Sequence, residues 1–218
     1  MTTTAPAPKP TVATSNLPRR RTLVLLALSF VTVFVVALAT GADTDPDSSL
    51  PTIESAYDQS HVAFMVTGYA AMAACAVLIF LGVALRAALR GRRPSWTADA
   101  AMLGFVVIAL TVASWVVSGL ALWHAVDQGE NASVRTLNFV DTSNFLPLMV
   151  GMICAYVGVG TAGLRSATLP AWLAIASIVV GLLAPLGPLG FVPAMLLPIW
   201  LVVVSALVGV SDREPDPS

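Results

Sequence analysis

The sequence predicts an all-α membrane protein: a polytopic transmembrane helical bundle with six spans and both termini cytoplasmic. Three observations predict it. The 218-residue chain is 57% hydrophobic and 11% charged, with a mean hydropathy of +0.84, where soluble domains carry about 25% charged residues. Its apolar residues gather into blocks long enough, at about 1.5 Å per helical residue, to cross a hydrocarbon core of about 30 Å. When those blocks are threaded back and forth, ten of the 11 Lys and Arg residues fall on one side, as the positive-inside rule requires.

Residues 1–21 are rich in Pro, Thr and Ala with almost no apolar periodicity, the pattern of a disordered tail. The first span is expected at about 23–40. Its preceding PRRR and following ALATGA are also features of a secretory or twin-arginine signal. The apolar run exceeds the roughly 7 to 15 residues of a signal h-region, which favours an uncleaved helix. The second span is expected at 61–85, the third at 98–126 and the fourth at 145–164. Between Arg165 and Asp212 no residue is charged, and a single helix of that length would measure roughly 69 Å, about two bilayer thicknesses. The run must therefore fold back. Pro185, Gly187, Pro188 and Gly190 supply the turn, because proline lacks an N–H and glycine tolerates unusual backbone angles. Spans at about 170–185 and 191–210 result, with Pro193 near a helix start and Pro198 inside the last span, where it should bend the helix. Residues 211–218 form a second polar tail.

With the N-terminus cytoplasmic, Lys9, Arg19, Arg20, Arg21, Arg86, Arg90, Arg92, Arg93, Arg165 and Arg213 face inward and Arg135 faces out. Asp43, Asp45, Asp47, Glu54, Asp58, Asp127, Glu130 and Asp141 all fall on the outer side. Small residues then predict the packing. His61, Gly68, Cys75 and Gly82 recur every seven positions in the second span, with Ala71 close beside; Gly151, Cys154, Ala155, Gly158, Thr161 and Ala162 share a face of the fourth, and Gly104, Thr111, Ser114 and Ser118 a face of the third. Such stripes let helices approach closely in lipid, so the second, third and fourth spans are expected at the centre of the bundle. Cys75 and Cys154 lie within apolar runs as seam fillers and offer no CxxC motif.

Several function classes lose their residues. A net charge of -1 and the lack of a basic run interleaved with aromatics exclude a nucleic-acid surface. No GxSxG, HExxH or GxxxxGKS occurs, so no catalytic residue and no cofactor is assigned. Under these boundaries every charged residue lies in a loop, a tail or a helix end, and no ionisable relay crosses the membrane as proton-coupled carriers require.

One constellation has ligand chemistry. The two histidines, His61 and His124, fall at the outer ends of the second and third spans, each three residues from a carboxylate in DQSH (Asp58 to His61) and HAVD (His124 to Asp127). That spacing places each pair on one helix face. If the two helices are neighbours, Asp58, His61, His124 and Asp127 converge at the outer boundary, where imidazole and carboxylate suit zinc or another divalent ion, or the two imidazoles a haem. The alternative is that they meet headgroups and water, as polar residues at helix ends do. Trp96, Trp123 and Trp172 are placed as interface anchors. Trp115 and Trp200 fall mid-span, filling space or stacking on a ligand. NAS at 131–133 matches a glycosylation acceptor, and ASVRTLNFVDTSNF has the apolar spacing of a short surface helix.

The C-terminal third, LRSATLPAWLAIASIVVGLLAPLGPLGFVPAMLLPIWLVVVSALV, combines a short basic loop, an LPAW opening, a proline-glycine turn and PIWLVVVS in the last helix. In these features it resembles uncharacterised six-helix integral membrane proteins of actinobacterial type, a domain-of-unknown-function family. The resemblance implies a multi-pass protein of the bacterial plasma membrane and supplies no reaction and no site residues.

The leading expectation is a non-enzymatic structural or accessory membrane component, surrounded by the lipid bilayer and acting through other membrane proteins. The alternatives are a passive carrier of a small or apolar solute and an outer-face metal- or haem-binding redox module. A closed interior packed with small residues is expected of the first and a polar-lined cavity of the second. The third requires the histidines to face each other.

Overall fold

The structure, a computed structural model, describes residues 20–39, 44–45, 47–57, 61–90 and 95–208. Among them the chain is all-helical: α1 (Arg20–Ala39), α2 (Leu50–Tyr57), α3 (His61–Leu89), α4 (Trp96–Asp127), α5 (Asn131–Ser143), α6 (Phe145–Ser166), α7 (Ala171–Leu183), a 3₁₀ turn (Gly187–Gly190) and α8 (Phe191–Leu207). Both expected tails lie outside the described residues, apart from Arg20 and Arg21, which open α1.

Among the described residues, three helical stretches are long and apolar enough to cross a membrane: Val62–Leu89, Trp96–Asp127 and Asn131–Ser166, the last joining α5 to α6 through Asn144. The apolar length of this stretch lies in α6, because α5 carries Arg135, Asn138 and Asp141 among its 13 residues. Helices α7 and α8 have 13 and 17 residues, about 20 and 26 Å. They are shorter than the expected 170–185 and 191–210: α7 begins after Pro170 and the chain turns from Ala184, while α8 starts at the expected Phe191 and gives way to extended backbone at Val208, with 209–210 outside the described residues. Pro193 sits in the first turn of α8, and Pro198 lies inside the same helix.

Six helices form a closed ring in chain order. α1 packs on α3, α3 on α4, α4 on α6, α6 on α7, α7 on α8, and α8 returns to α1. The most extensive contact is between α4 and α6, and glycine makes it. A Cβ on Gly104 would collide with the α6 backbone at Ala155 and lie 2.7 Å from the Gly151 carbonyl. One on Gly158 would lie 2.7 Å from the Ala101 nitrogen. The two backbones therefore touch, as small-residue seams allow. The α3 stripe meets α4 less closely, Gly82 against Phe105 and Gly68 against Val116. The third-span face divides its duties: Gly104 serves the α6 seam, Thr111 bonds back to Val107 O, and Ser118 turns to α5.

Tyr156 and Trp200 close the middle of the ring. Their rings lie 4.0 Å apart, Tyr156 Oη donates to Pro193 O at 2.8 Å, and Trp200 Nε1 donates to Ser177 Oγ at 2.8 Å. These bonds satisfy the polar atoms of the aromatics that fill the core. The exterior is the opposite of a soluble protein: Leu25, Phe80, Leu110, Leu146, Val179 and Ile199, one from each ring helix, are exposed large hydrophobics. Contiguous apolar exteriors of this kind need an apolar surrounding, so the chain is a membrane protein.

The two ends of the ring differ. At one, Arg86 of α3 and Arg90 just after it both bind Asp99 of α4, at 2.6 and 2.7 Å, and Arg165 of α6 lies over the exposed Trp96 ring. The other end is covered by α2 and α5. Ile53 and Tyr57 of α2, Leu122 and Ala125 of α4, and Val134 of α5 make a second small core beneath that cap.

Candidate functional site

A cavity of about 540 Å³ lies inside the ring on the cap side. Its deep wall is apolar, with Phe30 and Phe34 from α1, Ala74, Cys75 and Leu78 from α3, Ile108 and Val112 from α4, Leu148 and Met152 from α6, and Leu197 from α8. Two aromatic pairs border it: Phe30 stacks on Phe34 at 5.6 Å and Phe145 on Phe191 at 4.6 Å. The small α3 side chains create the space. Ala71, Ala74 and Cys75 line it, so the stripe that admits α4 also keeps this part of the ring open.

The mouth is polar, and α5 builds it. Asn138 is buried and anchors the segment before α2: its Oδ1 accepts from Thr44 Oγ1 at 2.7 Å and its Nδ2 donates to Asp45 O at 2.9 Å. Three residues on, Asp141 reaches the cavity wall and accepts a short hydrogen bond from Ser118 Oγ. Trp115 Nε1 donates to the Asp141 carbonyl at 2.7 Å, which fixes α5 against α4. Tyr57 closes the other side of the mouth, lining the cavity with Thr44. Burial pushes the Asp141 carboxyl above the ordinary carboxylate range, and the Ser118 bond offsets part of that rise. The Tyr57 hydroxyl is also raised, first by burial and then by the Asp141 charge.

Of the sequence-predicted ligands, His61 opens α3, and His124 and Asp127 lie exposed in the last turn of α4. His124 Nε2 is 2.7 Å from the Gln128 side-chain amide, a contact within its own helix end. Asp58 lies outside the described residues. Among the described residues no group of three His, Cys, Asp or Glu side chains is placed to hold a metal ion. Trp115 lines the cavity, whereas Trp200 fills the core.

Sequence reasoning missed Asp141 as a site residue, grouping it with the outer acidic loop residues. Its position in α5 directs it inward, and a relay-free membrane interior does not exclude a carboxylate set at the rim. A signal was present: DTSN (Asp141–Asn144) packs four polar residues against the start of an apolar span, and Ser114 and Ser118 offer hydroxyls at matching depth on α4. Ser114 Oγ donates to Asn144 Oδ1 at 3.3 Å.

The arrangement defines a class: an all-helical membrane bundle with an apolar internal cavity and a carboxylate at its rim. Comparison with protein-family models, with curated proteins and with solved structures finds no match for the chain.

Proposed function

We propose that this is a six-span protein of the bacterial cytoplasmic membrane, with both termini cytoplasmic, that holds a small, mostly apolar solute within its helix ring. It acts as a non-enzymatic binding component or passive carrier. The observation that carries the reading is the cavity of about 540 Å³, a size typical of small-molecule sites, which are mostly apolar with a few placed polar groups. A purely structural or accessory component is expected to have a closed interior and a carrier a polar-lined cavity; the space bordered by Phe30, Phe34, Phe145 and Phe191 is open but apolar beyond its mouth, which argues for an apolar occupant and not for a polar-lined path. Both α7 and α8 are apolar, and their hairpin turn lies at the cap end with the N-terminus of α8, which supports counting each as a crossing.

The test uses the purified protein in phosphatidylcholine nanodiscs. Trp115 is the tryptophan on the cavity wall, so a heavy-atom quencher such as 4-bromobenzyl alcohol should quench emission saturably, and Trp115→Phe should remove the saturable part. Quenching that rises linearly in both proteins overturns the reading.

A further inference from the structure

The geometry points to an organic cation as the cavity's ligand: a single ammonium group on an apolar, preferably aromatic, body, held with its charge at Asp141. This inference rests on the solute-binding reading above and names the class of solute. Three observations carry it. First, among the described residues the cavity wall is one-sided in charge, with two carboxylates, Asp45 and Asp141, and no Lys, Arg or His lining it. The ion pairs among the described residues all involve Asp99, at the opposite end of the ring, so neither carboxylate is neutralised by such a partner. Second, Asp141 is half-buried and fixed at both its ends, the carboxylate by Ser118 and the backbone carbonyl by Trp115. A carboxylate held rigidly at an apolar rim, with one oxygen taken by a hydroxyl, presents its remaining acceptor capacity to the cavity. Third, aromatic side chains surround the space: Tyr57, Phe64 and Trp115 near the mouth and the Phe30–Phe34 and Phe145–Phe191 pairs deeper. Ring faces attract ammonium groups and accept apolar bodies.

Anions meet the opposite field. A fatty acid or a phosphate would bring a second negative charge to Asp141 with no basic residue on the wall to receive it. The same argument disfavours a zwitterionic aminolipid, whose phosphate would follow its ammonium into the mouth. A neutral solute fills the apolar wall but leaves the carboxylate without its counter-charge.

The experiment measures displacement of 4-bromobenzyl alcohol from the full-length protein in phosphatidylcholine nanodiscs by three molecules of one body: 4-phenylbutylamine, 4-phenylbutanol and 4-phenylbutyrate. The amine should displace the quencher at a concentration at least about tenfold below the alcohol, and the butyrate should be weakest. Asp141→Asn should bring the amine to the alcohol's level while the alcohol is unchanged, which also shows that the variant is folded. Asp141→Glu should restore a preference for the amine. An amine no better than the alcohol on the native protein overturns the inference whether or not either variant folds, and leaves the solute reading standing. Absence of saturable quenching by the bromo alcohol sinks both. With phosphatidylethanolamine in the nanodisc the amine's affinity should hold; competition by that lipid would assign the carboxylate to a headgroup and overturn the free-amine inference.

Discussion

Asp141 carries a cost in stability that follows from its burial. Its carboxyl is raised in the folded protein by burial, above an unfolded value of about 3.9. The folded state therefore holds the proton more tightly than the unfolded chain. Stability from this group is fully present below the unfolded pKa and is lost as pH rises through the folded one. At neutral pH the buried charge is a cost that Asn would not carry, and the Asn side-chain oxygen can still accept from Ser118. We expect Asp141→Asn to melt at a higher temperature than the native protein at pH 7, with the difference shrinking toward zero as pH falls to about 4. A variant less stable at pH 7 would mean that the Ser118–carboxylate bond outweighs desolvation. Asp45, Tyr57 and Cys75 are the other titratable groups on the same wall, so the comparison is made on the single Asp141 change.

At the scale of elements the α4–α6 seam governs the ring. A side chain at Gly104 has no space to relax into, because the colliding atoms are the α6 backbone at Ala155 and Gly151 and not the end of a flexible side chain. Gly104→Ala should therefore separate the helices and cost about 1 to 3 kcal/mol, the usual range for overpacking, read as a loss of thermal stability in detergent. Gly129 is the informative comparison. Nothing lies within 4 Å of a Cβ there, but its φ of +68° favours glycine. Gly129→Ala should lose about 1 to 2 kcal/mol through backbone strain alone, with the bundle and its cavity intact. If quencher binding survives Gly129→Ala and is lost in Gly104→Ala, the seam positions the cavity wall as well as holding the fold.

For the whole molecule the arrangement of charge sets orientation. Arg86, Arg90 and Arg165 share the end with Trp96, and α2 and α5 cap the other. If the basic end is cytoplasmic, the mouth beside Asp141 opens away from the cytoplasm. With Cys75 and Cys154 replaced by Ala, Ala132→Cys in the exposed start of α5 should react with a membrane-impermeant maleimide in intact cells. Ala171→Cys, exposed at the start of α7, should react only after lysis. The reverse pattern would invert the protein and place the cavity mouth inside.

Composition and periodicity by themselves determined that the chain is helical and apolar on its outside, that the run after Arg165 must fold back at PLGPLG, and that ASVRTLNFVDTSNF at 132–145 has the spacing of a short surface helix. These features are legible because each depends on a local property: hydrophobic length, a missing N–H, a repeat of polar and apolar positions. The same local reading placed Gly104 and Gly158 in helix seams without showing that both belong to one seam, Gly104 against Gly151 and Ala155 and Gly158 against Ala101. Only the tertiary structure decided that six helices close into a ring, that α2 exists as a cap, and that Asp141 turns from the rim toward a cavity bounded by residues far apart in sequence. Thr44, Tyr57, Trp115 and Asp141 meet because α5 is anchored through Asn138, and no spacing along the chain encodes that meeting. A cavity is the space that packing leaves unfilled, so its existence depends on every side chain around it at once.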